Sequence, residues 1–124
     1  MIDPILIGLG GFIGANARYL VSTFVAKNLD PALPWGTLIV NVTGSFVIGV
    51  FLVWTTERIL TDPAYRLLIA VGFCGAYTTF SSYAFETVRL MEQGHYLSAT
   101  GNFFINNLLA VLGVIAGMTL ARSL

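Results

Sequence analysis

The segment from residue 72 to residue 86 decides how this chain folds, and it reads Gly72-Phe-Cys-Gly-Ala-Tyr-Thr-Thr-Phe-Ser-Ser-Tyr-Ala-Phe-Glu86. It lies inside an apolar stretch, residues 67–90, that is long enough to cross a membrane as one helix. Two glycines and a cluster of hydroxyl residues are unusual in a plain lipid anchor. Because non-helical backbone is tolerated at membrane depth only where protein buries it or water lines it, the segment predicts a helix broken in mid-membrane at an ion or solute site.

The composition of the whole chain indicates an integral membrane protein. Its 124 residues are 56% hydrophobic and 10% charged, with a mean hydropathy of +0.83, which is too apolar for a small soluble core. Four stretches are long enough to span a bilayer, near residues 4–26, 35–56, 66–90 and 100–121. They predict an all-α fold with one four-helix transmembrane domain, residues 1–124, and leave no room for an appended catalytic unit. We therefore do not expect an enzyme.

Cysteine and histidine are too scarce for a metal cluster or an intramembrane haem. The one cysteine, Cys74, lies inside the third predicted span, where it is expected to be a small packing residue. The one histidine, His95, follows a turn predicted at Gln93-Gly94. Zinc-type sites need several such ligands. We expect no organic cofactor and no nucleic-acid partner.

The charges that flank the spans predict insertion in both orientations. The side that holds the two termini carries Arg58, Arg66 and Arg122, and the other side carries Lys27 and Arg89, with Arg18 deeper in the first span. Orientation follows the Lys/Arg bias of short flanking loops, and here this bias is close to zero. A small protein inserted both ways can pair with itself, so we expect an antiparallel, dual-topology homodimer with a two-fold axis in the membrane plane.

Polar side chains recur on one face of the second predicted helix. Thr37, Asn41 and Ser45 follow at four-residue intervals, so they share a face that must look inward. An amide donates two hydrogen bonds without carrying a charge, which suits an anion that must bind and then leave. Asn41 also has a second interpretation, since polar residues commonly form hydrogen bonds between membrane helices.

The fourth predicted helix has a similar stripe, in which two amides are followed by small residues on the same face. The stripe consists of Asn102, Asn106, Ala110, Gly113 and Gly117. Its polar half is expected to face a path and its small half to pack against another helix. Asn107 lies beside the stripe and has no predicted role.

The first predicted helix combines small residues with one arginine. Gly10 and Gly14 have the spacing of a helix-packing face. Arg18 must face water, a carboxylate or backbone carbonyls, because a guanidinium is costly within a span. It either attracts anions at a pore mouth or simply reaches toward the membrane surface.

In the third predicted helix, hydroxyls and aromatic rings surround the expected break. The hydroxyls of residues 78–82 can satisfy amides freed by the break, and unwound carbonyls could bind a cation. Phe80 and Tyr83 are three residues apart and share a face if the helix resumes there. An aromatic ring has a positive edge, which can contact an anion. Aromatic residues at this spacing are more often simply part of a core.

Three ordered motifs run through the chain. They are Gly11-x-x-Gly-Ala-x-x-Arg-Tyr19, Gly36-Thr-Leu-x-Val-Asn41-x-x-Gly44-Ser45 and Gly72-Phe-x-Gly-x-x-Thr-Thr-Phe-Ser81, the last followed by Glu86. Together they resemble the Fluc (CrcB) family of bacterial fluoride channels over the whole chain. The resemblance implies a multi-pass protein of the bacterial inner membrane that passively exports fluoride and so lowers its toxicity. It also implies an antiparallel homodimer with two fluoride pathways, each built from both subunits.

The resemblance assigns expected roles by motif position. Asn41 would contact fluoride, and Phe80 would be the first of two pore rings. The carbonyls of Gly75 and Thr78 would bind a structural sodium ion shared at the dimer axis. The polar track would contain Ser81, Asn102 and Asn106, to which we add Thr37 and Ser82, and Arg18 would lie in the vestibule.

The chain departs from the family pattern at two neighbouring positions. The second pore ring is Tyr83 instead of phenylalanine, and Ala84 replaces the serine that follows it. Both changes affect how the ion would be held at the second ring.

Two other functions fit the size and hydrophobicity of the chain. A small dual-topology multidrug exporter needs a carboxylate in its first helix, and none occurs between Asp3 and Lys27. Glu86 is the only acid well inside a predicted span. A membrane anchor subunit without transport activity would leave the polar stripes unexplained.

Overall fold

The computed structural model describes residues 2–58 and 62–124, which form four long helical segments. The first segment is α1 (Asp3–Asn28), and the second is α2 (Trp35–Val53), continued by π-helical Trp54–Arg58. The third segment consists of α3 (Pro63–Tyr65), π-helical Arg66–Cys74, α4 (Gly75–Tyr77) and α5 (Phe80–Glu92). The fourth segment is α6 (Tyr96–Ser123). By length and composition, each segment is able to cross a membrane. The predicted all-helical architecture with four such helices is confirmed. The loop expected between the second and third spans includes residues 59–61, which lie outside the described residues.

Local chemistry explains where the third segment begins and ends. Asp62 accepts a hydrogen bond from the Ala64 N–H at 2.9 Å, and Pro63 occupies the first helical position. At the other end, Gly94 has a φ of +80°, which a residue with a side chain rarely adopts. The N–H of Gly94 donates to Met91 and that of His95 to Leu90, which is the Schellman arrangement. The chain can therefore reverse into α6 within a few residues.

The first half of the third segment packs on α1 through glycines. A Cβ added at Gly10 would meet the Leu68 carbonyl, and one added at Gly14 would meet the Phe73 carbonyl. From the opposite side, a Cβ at Gly72 would approach the Ile7 carbonyl at 2.7 Å. The two backbones are in direct contact, as the small-residue spacing of α1 predicted.

A second glycine contact joins α2 and α6. A Cβ at Gly113 would come within 3.0 Å of the Val42 carbonyl, and a Cβ at Gly117 or Gly49 would come closer still to the facing backbone. Both Gly113 and Gly117 are buried, so the small half of the α6 stripe is a packing surface. Large apolar side chains such as Phe12, Leu97 and Phe104 project outward, as expected for helices surrounded by lipid.

Candidate functional site

The backbone of the third segment leaves the helix at Thr78 and Thr79. Both residues are extended, with φ and ψ of −84° and 158° at Thr78 and −149° and 122° at Thr79. Asn41 on α2 bonds to both sides of this opening, because its Oδ1 accepts from the Thr79 N–H at 2.8 Å and its Nδ2 donates to the Thr79 carbonyl at 3.0 Å. One amide thus satisfies both backbone groups of a residue that lies outside any helix.

The bond between Asn41 and Thr79 also alters the surroundings of Gly75. In a continuous α-helix, the N–H of residue 79 would donate to the carbonyl of residue 75, four positions back. Here that N–H bonds to Asn41, whereas the preceding N–H, of Thr78, still reaches the Cys74 carbonyl at 3.0 Å. The Gly75 carbonyl therefore loses its α-helical partner.

A row of hydrogen-bonded side chains continues from Asn41 through α6 to α5. Asn41 Nδ2 donates to Asn106 Oδ1 at 3.3 Å, and Asn106 Nδ2 donates to Asn102 Oδ1 at 2.9 Å. Asn102 Nδ2 then donates to Thr87 Oγ1 at 2.8 Å, which in turn donates to the Tyr83 carbonyl at 2.8 Å. Asn106, in the middle of the row, is only 4% exposed. Uncharged groups thus connect three helices.

Two aromatic rings stand beside this row at the start of α5. Phe80 and Tyr83 are arranged edge to face, with ring centroids 5.3 Å apart and planes at 65°. Tyr83 is 5% exposed, whereas Phe80 is 76% exposed. The Tyr83 hydroxyl accepts from Asn107 Nδ2 at 2.9 Å and donates to the Phe103 carbonyl at 3.4 Å. The tyrosine is held against α6, and the phenylalanine is left largely uncovered.

Much of this polar and aromatic cluster lines one cleft of about 350 Å³, which we call the Asn41 cleft. Six residues with roles predicted from the sequence line it, namely Asn41, Gly75, Thr78, Phe80, Tyr83 and Asn106. None of the described residues that line it carries a formal charge. The cleft therefore offers amides, hydroxyls, carbonyls and ring edges, which can surround an ion without binding it permanently.

A second cleft, of about 400 Å³, lies where the end of α1 meets the start of α2 and the end of α5. Charged side chains of both signs line it, including Asp30, Glu86 and Arg89. Thr37 is 8% exposed there, and its hydroxyl donates to Glu86 Oε1 at 2.5 Å. The stripe predicted on α2 thus joins two environments, a charged one at Thr37 and an uncharged one at Asn41.

Comparison with known proteins places the chain in a family. Residues 5–118 match the family described as CrcB-like protein, Camphor Resistance (CrcB). The chain belongs to the CrcB family. It is 53% identical to the fluoride-specific ion channel FluC of Koribacter versatilis over 118 residues. This aligned region covers 95% of this chain and 94% of that protein. It is 46% identical over 120 residues to the FluC of Sulfurihydrogenibium sp., covering 97% of both chains. The resemblance predicted from the motifs is confirmed.

Three predicted pathway and vestibule residues of this CrcB chain, Ser81, Ser82 and Arg18, line neither cleft. Ser82 donates its backbone N–H to Thr79 Oγ1 at 3.2 Å, so Thr79 caps α5. The Ser81 hydroxyl is exposed and lies 3.5 Å from the Thr79 hydroxyl. Arg18 is half-buried on α1, outside the linings of both clefts. Within residues 2–58 and 62–124, its buried Nε has no hydrogen-bond partner.

Three contacts of the site had no counterpart in the sequence prediction. The hydroxyls of residues 78–82 were expected to satisfy the freed amides, and the Thr79 hydroxyl does accept from the Ser82 N–H, but the Thr79 backbone itself bonds to Asn41. Thr87 ends the polar row, and its position four residues after Tyr83 on α5 was the available signal. Asn107 binds the Tyr83 hydroxyl, and no spacing rule links residues 24 positions apart.

Proposed function

We propose that this chain is a fluoride-selective ion channel that lets fluoride leave the cytoplasm passively and so lowers its toxicity. The observation that carries the proposal is the Asn41 cleft, in which neutral amides and aromatic rings from three helices meet. The name of the relatives, fluoride-specific ion channel, supports the choice of ion. A channel performs no covalent chemistry, so we propose no enzymatic activity.

The hydrogen bonds of Asn41 suggest how an anion enters the row. Its bond to Asn106 is 3.3 Å long, whereas its two bonds to Thr79 are 3.0 and 2.8 Å. An anion can replace the Asn106 oxygen as acceptor of the Asn41 N–H without disturbing Thr79. The positive edges of Phe80 and Tyr83 supply further contacts that involve no net charge. Such weak and replaceable contacts favour both entry and exit.

Phe80 supports the proposal of a second subunit. The Phe80 ring lies at the mouth of a polar cleft and is 76% exposed, so it faces either lipid or another copy of the chain. Since the Lys/Arg bias is nearly zero, we propose an antiparallel, dual-topology homodimer in which each of two pathways uses residues from both subunits. An in-plane two-fold axis would then bring the two third segments together.

The extended residues Thr78 and Thr79 are proposed to be a deliberate mid-membrane break. Thr78 and Gly75 line the Asn41 cleft, and the Gly75 carbonyl lacks its helical partner because Asn41 holds the Thr79 N–H. Neutral carbonyl oxygens from unwound helix suit a sodium ion. The Gly75 and Thr78 carbonyls would hold it at the dimer axis, where it would supply a fixed positive charge. Asn41 thereby keeps the backbone open for the cation.

A passive fluoride pathway has a clear use in a bacterial inner membrane. Hydrogen fluoride is a weak acid that crosses membranes in its neutral form and ionises in the cytoplasm, where it is trapped as fluoride. The membrane potential drives a permeant anion outward. No energy coupling is required, and the names of the relatives do not support an exporter or an anchor subunit.

The direct test is ion release from liposomes that contain only this protein. A potassium ionophore is added so that potassium efflux cancels the membrane potential that anion efflux builds up. We then expect rapid fluoride efflux and little chloride efflux, each followed with an ion-selective electrode. Equal efflux of the two anions would contradict fluoride selectivity. No efflux of either would contradict a channel.

Dual topology has a separate test. Two lysines added after Leu124 should bias insertion toward one orientation and lower fluoride efflux, because antiparallel partners become scarce. Coexpression with a variant biased the opposite way should restore it. A C-terminal tag on the unmodified chain that is accessible from one side only would contradict the proposal.

A further inference from the structure

We propose that Asn107 positions the second aromatic ring of the pathway, and that this chain needs it because the ring is a tyrosine. The inference rests on the proposed conduction of fluoride through the Asn41 cleft. It concerns the residue at which the chain departs from the family pattern, Tyr83, and an asparagine with no role predicted from the sequence.

Tyr83 is almost fully buried, and its hydroxyl has hydrogen-bond partners on α6. The residue is 5% exposed, so its hydroxyl cannot depend on bulk water for hydrogen bonds. Asn107 Nδ2 donates to the hydroxyl oxygen at 2.9 Å, and the hydroxyl donates to the Phe103 carbonyl at 3.4 Å. Its donor and one acceptor position are therefore occupied. The hydroxyl is used for attachment to α6, and only the ring is offered to the cleft.

Asn107 is itself fixed in place. The second hydrogen of its amide group binds the Phe103 carbonyl at 2.7 Å, one turn back along α6. Asn107, Tyr83 and the Phe103 carbonyl thus form a closed set of three hydrogen bonds. The set ties the tip of the ring to the α6 backbone, while the ring meets Phe80 edge to face. A phenylalanine at this position would have no hydroxyl to satisfy and would need no such partner.

A competing explanation must be separated from this one. Asn107 also lines the Asn41 cleft, so its amide could contact the ion directly. Positioning and direct contact differ in one respect: a positioning residue matters only while the tyrosine hydroxyl is present, whereas an ion ligand matters with either ring.

A double-mutant cycle on fluoride efflux uses this difference. Asn107→Leu should lower efflux about fivefold, the effect expected for one interhelical hydrogen bond of about 1 kcal/mol. Tyr83→Phe serves as the second background, in which adding Asn107→Leu should change efflux by less than about twofold. Asn107→Ala, which removes the same N–H groups with less added apolar volume, should repeat the pattern if the leucine variant folds poorly.

Asn16→Leu is the matched control. Asn16 lies exposed on α1, and its Nδ2 donates to the Phe12 carbonyl at 2.7 Å, the same bond along the helix that Asn107 makes to Phe103. It has no bond to a tyrosine, so this change should leave efflux unaltered. Equal losses from Asn107→Leu in the tyrosine and phenylalanine backgrounds, or no loss in either, would overturn the proposal.

A spectroscopic measurement tests the pair without reference to fluoride. The chain has five tyrosines, and labelling them with carbon-13 at the hydroxyl-bearing ζ carbon gives one signal that disappears in Tyr83→Phe. This signal should shift in Asn107→Leu and stay in place in Asn16→Leu. An unshifted signal would overturn the pair even if fluoride flows. If Asn107→Leu shifts the Tyr83 signal but the unmodified protein conducts no fluoride, the pair stands and the proposed channel function is refuted instead.

Discussion

The two halves of the third segment are held to the rest of the molecule in opposite ways. Before Thr78, the π-helical stretch Arg66–Cys74 rests on α1 through glycines, with backbone against backbone. From Thr79 onward, the chain is joined to α2 and α6 by side-chain hydrogen bonds, from Asn41 to the Thr79 backbone, from Thr37 to Glu86 and from Asn102 to Thr87. The first half can serve as a fixed scaffold. The second half presents groups whose partners can be exchanged.

The difference indicates where an ion can pass. Where a glycine packs against a facing backbone, no hydrogen-bonding group can be released to an ion. An ion therefore gains no binding energy by approaching these contacts. Interhelical side-chain hydrogen bonds contribute only about 0.6 to 1.7 kcal/mol each in membrane proteins. An ion in the cleft can replace one of them at small cost. We therefore expect mutations at the glycine contact with α1 to affect folding and mutations from Thr78 onward to affect conduction.

The largest effect is expected from Gly14→Val. The new Cβ would collide with the Phe73 carbonyl, and no change of rotamer relieves a collision between a Cβ and a backbone atom. The variant should not give a monodisperse protein on size-exclusion chromatography. Gly8→Val is the control on the same helix, because within residues 2–58 and 62–124 no atom of another helix lies within 4 Å of a Cβ at Gly8. A folded, conducting Gly14→Val would show that the scaffold half is not rigid.

Asn41→Leu should have the second-largest effect and should act on function. It leaves the N–H and carbonyl of Thr79 without Asn41, at a cost of about 1 to 3 kcal/mol for each unsatisfied group. Since both glycine contacts are untouched, the protein should still purify, but fluoride efflux should fall at least about tenfold. For the proposed sodium site, sodium should raise the unfolding temperature of the parent, measured by scanning fluorimetry, and should not raise that of Asn41→Leu.

Asn28→Leu provides the comparison for Asn41→Leu. Asn28 is exposed near the end of α1 and binds the Phe24 carbonyl of its own helix. Its replacement should leave both efflux and the sodium effect intact. If Asn41→Leu conducts normally, Asn41 neither contacts the ion nor holds the backbone open.

Sequence alone predicted much of this fold, because the composition leaves few alternatives. A chain so apolar must form membrane helices, and Gly94 marks a turn that only glycine makes easily. The glycine contact of α1 also followed from spacing. The π-helical form of Arg66–Cys74 could not be predicted from the sequence, because it depends on how that backbone fits against α1, and no local pattern encodes this fit.

The sequence predicted which residues belong to the candidate site better than it predicted which hydrogen bonds they form. Asn41 and Asn106 were identified as inward-facing, and they do meet. That Asn41 binds the backbone of Thr79 could not be read from the sequence, because a backbone group has no residue identity. Asn107 was missed for a related reason: its partner, Tyr83, lies on another helix, and the pair is visible only once α5 and α6 are packed together.

An intermediate effect is expected at the two rings. Phe80→Ile removes an exposed ring edge that nothing nearby replaces, so fluoride efflux should fall about tenfold if that edge is worth about 1.4 kcal/mol. Tyr83→Phe keeps the ring and should retain most of the efflux. The reverse order of effects would show that the hydroxyl, not the ring edge, contacts the ion, and would place the pathway on the other face of α5.

The smallest effect is expected from Thr87→Val, at the outer end of the polar row. Asn102 would lose the acceptor for its N–H, but Asn102 is only half-buried and can turn toward water. After such a turn, Asn106 Nδ2 keeps the Asn102 backbone carbonyl, 3.3 Å away, as an acceptor, so the bond between Asn106 and Asn41 need not change. We expect a loss of stability below about 1 kcal/mol and efflux within about twofold of the parent. Thr100→Val, at an exposed position on α6, is the control for the lost hydroxyl. A loss as large as that of Asn41→Leu would mean that the row behaves as one cooperative unit, so that an ion could not replace its bonds one at a time.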